Sequence, residues 1–121
     1  MYDYDDDNIF AKIIRGEIPN DTVAETEMTL AFNDIRPQAP VHVLVIPKGR
    51  YVCHDHFAAE AGDAEILDFM RLTARVCREK GLVEGGYRTI SNAGRAGVQE
   101  VPHYHLHLLG GRPLGRMLQP G

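Results

Sequence analysis

The run His103-Tyr104-His105-Leu106-His107-Leu108-Leu109 constrains this chain most. Strand side chains alternate in direction, so as a strand it sends three imidazoles to one side and Tyr104, Leu106 and Leu108 to the other. The apolar side requires a core. A face of three histidines has no packing rationale, because Val or Ile serves a core better. The row therefore points to chemistry rather than to packing.

Pro and Gly punctuate the chain into the remaining elements. His42–Ile46 is apolar and rich in β-branched residues, with His42, Leu44 and Ile46 on one face and Val43 and Val45 on the other. Thr22–Glu25 and Thr29–Asn33 read as strands joined by a short turn, and Tyr87–Asn92 as another. Pro37 and Pro40 make Ile35–Pro40 a loop. Asp7 or Asn8 can cap a short helix bearing Ile9, Phe10, Ile13 and Ile14, with Gly16 at its stop. Helical spacing of Ile66, Phe69, Met70, Thr73 and Val76 predicts a long helix over Glu60–Lys80. Cys53-His54-Asp55-His56 reads as a solvated loop. The pattern is α+β: a five-stranded antiparallel sheet with two helices, expected on one face.

At 121 residues the chain has the length of one domain, and residues 1–121 are read as a single one. No apolar run approaches the ~20 residues of a membrane helix, so no membrane partner is expected. The acidic start Tyr2–Asp7 does not resemble a secretory signal, and a cytoplasmic location is expected. The net charge is −4 and the basic residues are scattered, which argues against a nucleic-acid partner bound through a basic patch. Cys53 and Cys77 lie far apart with no Cys-x-x-Cys, so neither a disulfide framework nor a zinc knuckle is indicated.

Two chemistries suit the histidines. Same-face strand neighbours stand ~6.7 Å apart, so two successive imidazoles can share a metal while His103 and His107 cannot easily do so. A metal site would need two of them plus His42, or a group from Cys53–His56. No further ligand sits at a diagnostic spacing, and neither metal nor cofactor is expected. The alternative is attack on phosphorus by one neutral imidazole, with its neighbours handling charge and protons. Gly94 and Gly97, in the loop before the row, suit close backbone approach to an anion.

The run His103–Leu109 matches the histidine-triad signature, His-x-His-x-His followed by two apolar residues. Ile9–Ile14 with Glu17-Ile18-Pro19, Ala31–Ile35, Pro37–Pro40 with His42, Val45–Lys48 and Leu109–Arg112 extend the match along most of the chain. The sequence resembles the histidine-triad superfamily, in particular its Hint branch of purine nucleoside phosphoramidases. That resemblance implies a homodimer whose sheet continues across the interface, and a purine nucleotide as substrate. It makes His105 the nucleophile, with His103, His107 and His42 orienting it, contacting phosphate and assisting proton transfer. It places Asp34 on the ribose, Ile9, Phe10, Phe32 and Ile35 around the base, and Asn92, Gln99 and the Val101 backbone at the phosphate. Glu100 departs from the Ser common at that position in the Hint branch. Pointing inward, its carboxylate would repel an anion.

Overall fold

The computed structural model describes residues 2–120. The elements are α1 (Ile9–Ile14), β1 (Thr22–Glu25), β2 (Thr29–Asn33), β3 (Val41–Pro47), α2 (His54–Glu60), α3 (Asp63–Glu79), α4 (Leu82–Gly85), β4 (Tyr87–Ile90) and β5 (Leu106–Gly110). The five strands form one antiparallel sheet in the order β1-β2-β3-β5-β4. The apolar β3 is central. Leu44 lies opposite Phe32 on β2 and His107 on β5, and His42 lies opposite Leu109. Opposed residues share a face, so His42, Leu44 and His107 point the same way.

Alternation along β3 feeds two cores. Val43 and Val45 pack with Leu108, Phe69, Leu72 and Val76 under α3. Leu44 and Ile46 pack with Leu30, Phe32, Phe10 and Ile13 under α1. The helices therefore lie on both faces, a correction to the expected single face. Leu30, Phe32, Leu44 and Ile46 are as apolar as their neighbours, and α1 is what covers them. Asn8 is its cap, accepting the Ala11 N–H at 2.9 Å, and Gly16 leaves the helix at φ +78°.

Three further expectations are corrected. The Cys53–His56 segment is not a solvated loop: it opens α2, with Cys53, His56 and Phe57 buried. A helix of seven residues spans only about two turns, too few for a periodic signal. With α4, this gives four helices among the described residues where two were expected, and α3 begins at Asp63 rather than Glu60. The last strand begins at Leu106 rather than His103, so His103 and His105 precede the ladder. Their sidedness survives nonetheless: Tyr104 stacks on Phe57 and Phe69, while His103 and His105 meet Phe10. The Tyr104 N–H donates to the Tyr51 carbonyl at 2.7 Å, replacing the missing strand partner. Among the described residues no helix is long and apolar enough to cross a membrane.

Candidate active site

α1, the loop after β2, the loop before His103 and the histidine-bearing sheet face enclose a cleft of about 350 Å³, a volume suited to a small ligand. Ile9, Phe10, Phe32, Ile35 and Val101 line it, together with Asp34, Asn92, His105 and His107. Nine of the twelve residues singled out from the sequence thus meet there. His103 does not reach the cleft and is completely buried. His42 is buried behind His107 and lines an adjoining groove with Arg88 and Leu109. Gln99 also turns away. Its Nε2 donates to the carbonyls of Val52 and Val101 at 2.7 and 2.9 Å, and its Oε1 accepts the Gly94 N–H at 3.1 Å.

The hydrogen-bond partners settle the state of every ring in the row. The His103 carbonyl can only accept, so His105 Nδ1, 2.7 Å away, carries the proton. Its Nε2 therefore keeps a lone pair. The Pro47 carbonyl likewise requires a proton on His103 Nε2 at 2.7 Å, leaving His103 Nδ1 to accept from the Tyr4 hydroxyl at 2.6 Å. His42 Nδ1 accepts the Gln38 N–H at 3.0 Å, so its proton is on Nε2 and points at His107 Nδ1, 2.9 Å away. His107 must then carry its own proton on Nε2. One cleft thus holds an unprotonated Nε2 on His105 and a neighbouring imidazole with an N–H to give, their rings 5.0 Å apart.

Burial keeps these rings neutral. It pushes His105 down, offset in part by the His103 carbonyl and the charges of Asp34 and Glu100. His107 is held down to about 4 by burial and by the adjacent His105 and His42. His42 also falls, because burial outweighs the Asp34 carboxylate 3.4 Å from its Nε2; a neutral ring beside that charge is not an ion pair. His103 is held down to about 4 by burial, against a smaller upward pull from the Pro47 carbonyl.

A folded value below the unfolded one means that the unfolded chain binds the proton first. The stability this provides is full above about pH 6.5 and is lost as the pH falls towards 4. His103 alone should account for about 3 kcal/mol of that loss. Urea unfolding at a series of pH values reads it directly, and a flat profile between pH 6.5 and 4 would contradict the neutral row.

Among the described residues one trio of metal-ligating types comes together, Asp34, His42 and His107, with their ligand atoms within 4.8 Å. No group from Cys53–His56 joins it. The His42 and His107 nitrogens are 2.9 Å apart, a hydrogen-bond distance.

Several lining residues carry no signal in the sequence beyond their apolar character, among them Ile13 and Leu44, which belong equally to a core. Glu100, the departure from the resemblance, lines the cleft. Val98, also lining it, adopts φ +55°, a strained left-handed conformation for a β-branched residue.

Comparison with known proteins agrees with this fold. The HIT domain family matches residues 15–114. A 13.2 kDa HIT-like protein of Azospirillum brasilense is 54% identical over 118 residues, 98% of this chain and 97% of its own. The purine nucleoside phosphoramidase of Escherichia coli K12 is 46% identical over 113 residues, 93% and 94% of the two chains. A HIT family hydrolase from Clostridium thermocellum superposes with a TM-score of 0.83 at 39% identity, covering 93% of this chain and 97% of that one. With this extent of match in sequence and in fold, the chain belongs to the HIT domain family.

Proposed function

We propose that this protein is a nucleotide hydrolase that cleaves the α-phosphorus bond of nucleoside 5′-phosphoramidates or aminoacyl adenylates. The observation that carries the reading is the unprotonated Nε2 of His105 in a cleft that also holds the His107 N–H. The purine packs against Ile9, Phe10, Phe32 and Ile35, while Asp34 accepts from the ribose hydroxyls. His105 Nε2 attacks phosphorus, forming a P–N bond as the bond to the leaving amine or carboxylate breaks. The phosphoryl anion raises the proton affinity of the His42–His107 pair, so the pair takes a proton from solvent as substrate binds, passes it to a departing amine and returns to neutral. Asn92 and the Val101 backbone hold phosphoryl oxygens, and His103 supports His105 from behind. Water then displaces His105 and releases the nucleoside monophosphate. Positioning and charge stabilisation supply the catalysis in such transfers.

The identified phosphoramidase relative and the HIT family hydrolase support this reading. We further place the protein in the cytoplasm as a homodimer with a continued sheet; exposed Val83 and Tyr87 lie beside and on the edge strand β4, where a second copy can pair. Incubation with adenosine 5′-phosphoramidate in excess chelator tests the activity. Sustained AMP release is expected; AMP binding without turnover would instead indicate a nucleotide-binding regulatory protein.

A dinucleoside polyphosphate hydrolase is the second reading, and charge disfavours it. Asp34 and Glu100 line the cleft and, among the described residues, no Lys or Arg does so, which suits one phosphoryl group better than a polyphosphate chain. Glu100→Gln should therefore raise kcat/KM for diadenosine triphosphate relative to the phosphoramidate by roughly tenfold. An unchanged ratio would mean that Glu100 plays no part in selection.

A further inference from the structure

Residues 2–8, before α1, form no helix or strand and precede the matched region 15–114, yet they are pinned behind the histidine row. The Asp6 carboxylate takes two hydrogen bonds from Arg50, each of 3.0 Å. The Arg50 guanidinium lies 5.1 Å over the Tyr4 ring. Tyr4 in turn meets His103 edge-on at 5.5 Å and brings its hydroxyl to 2.6 Å from His103 Nδ1. Further along, the Asn8 backbone and side-chain N–H groups both donate to the Asp5 carbonyl, so the segment runs into α1 without slack.

His103 is completely buried and its Nε2–H is committed to Pro47, which leaves Nδ1 as an acceptor requiring a donor. The Tyr4 hydroxyl is that donor. Without it, a buried lone pair would be unsatisfied and the ring would gain by turning or by admitting water. Such a movement reaches the reacting atom, because the His103 carbonyl sets the tautomer and direction of His105.

We propose that Tyr4 is a positioning residue: by anchoring His103 it holds the carbonyl that aims His105 Nε2 into the cleft. The inference rests on His105 being the group that meets phosphorus. It adds to the site a side chain lying outside the family's matched region.

Tyr4→Phe keeps the ring and removes only the donor. Tyr2→Phe is the matched control: Tyr2 belongs to the same segment, but its ring stacks on His56 and its hydroxyl bonds Asp55, remote from His103. Both variants of the full chain are compared with the parent for turnover of adenosine 5′-phosphoramidate and for the ¹⁵N resonances of the histidine rings. For Tyr4→Phe the expected result is a fall in kcat of roughly tenfold with KM little changed, as small losses of alignment produce. Its His105 ring should shift from a single Nδ1–H tautomer to a mixture, while Tyr2→Phe leaves both readouts unchanged. Parent-like turnover with an unchanged His105 ring in Tyr4→Phe would overturn the proposal, as would equal losses in the two variants. Should the parent not turn over the phosphoramidate, the hydrolase reading fails, while the ring resonances still decide whether Tyr4 anchors the row.

Discussion

His105→Ala should lower phosphoramidate turnover by roughly a thousandfold or more, with AMP affinity and unfolding midpoint close to those of the parent. The separation follows from position. Apolar walls of the cleft come from α1 and β2, and Asp34 from the loop after β2, so in the proposed reading nucleotide binding does not depend on the imidazole. Losing the ring removes the only lone-pair nitrogen that faces the cleft among the described histidines. His107 cannot take over, because its Nδ1 is engaged with His42 and its Nε2 bears the proton. Steady-state kinetics beside calorimetric AMP titration checks both halves of the expectation. Retained turnover would remove His105 from the mechanism.

The largest stability effect is expected on the other face of the same segment. Phe69 is 1% exposed and packs against Phe57 and Tyr104, with ring centroids 5.1 and 5.3 Å away. Phe69→Ala should cost about 3–5 kcal/mol by transfer and cavity terms together, a large part of the ~5–15 kcal/mol that holds an ordinary domain folded. Tyr104 sits in the chain between His103 and His105, so loosening its packing should also reduce turnover at temperatures where the variant remains folded. Urea unfolding measures the first effect, and a parent-like midpoint would show that this aromatic cluster is not what supports the row.

Much of the fold was legible because its signals are local. The β3 alternation separates Leu44 and Ile46 from Val43 and Val45, and these are the residues that divide the two cores. Asn8 and Gly16 carry the capping chemistry that bounds α1. α2 was not legible, since its burial depends on Phe57 finding Tyr104 and Phe69 far along the chain. The site divides in the same way. Alternation alone places the imidazoles on one side, whereas Phe10 reads equally as core and as cleft wall until α1 is docked. Which ring faces a ligand depends on carbonyls that the chain brings in from elsewhere. His103 and Gln99 turn inward because Pro47 and Val52 offer acceptors there, and no spacing rule reports that. Tyr4 is the extreme case, an aromatic in an acidic segment whose partner lies 99 positions away.

The stereochemistry at phosphorus tests the mechanism most directly, because it does not require the intermediate to accumulate. A single diastereomer of adenosine 5′-phosphorothioamidate is hydrolysed in ¹⁸O-labelled water and the configuration of the product determined. Two in-line displacements, first by His105 and then by water, each invert the centre and together restore it. Net retention is the predicted result. Net inversion would mean that water attacks the substrate directly, and that no nucleotidyl-His105 intermediate lies on the path.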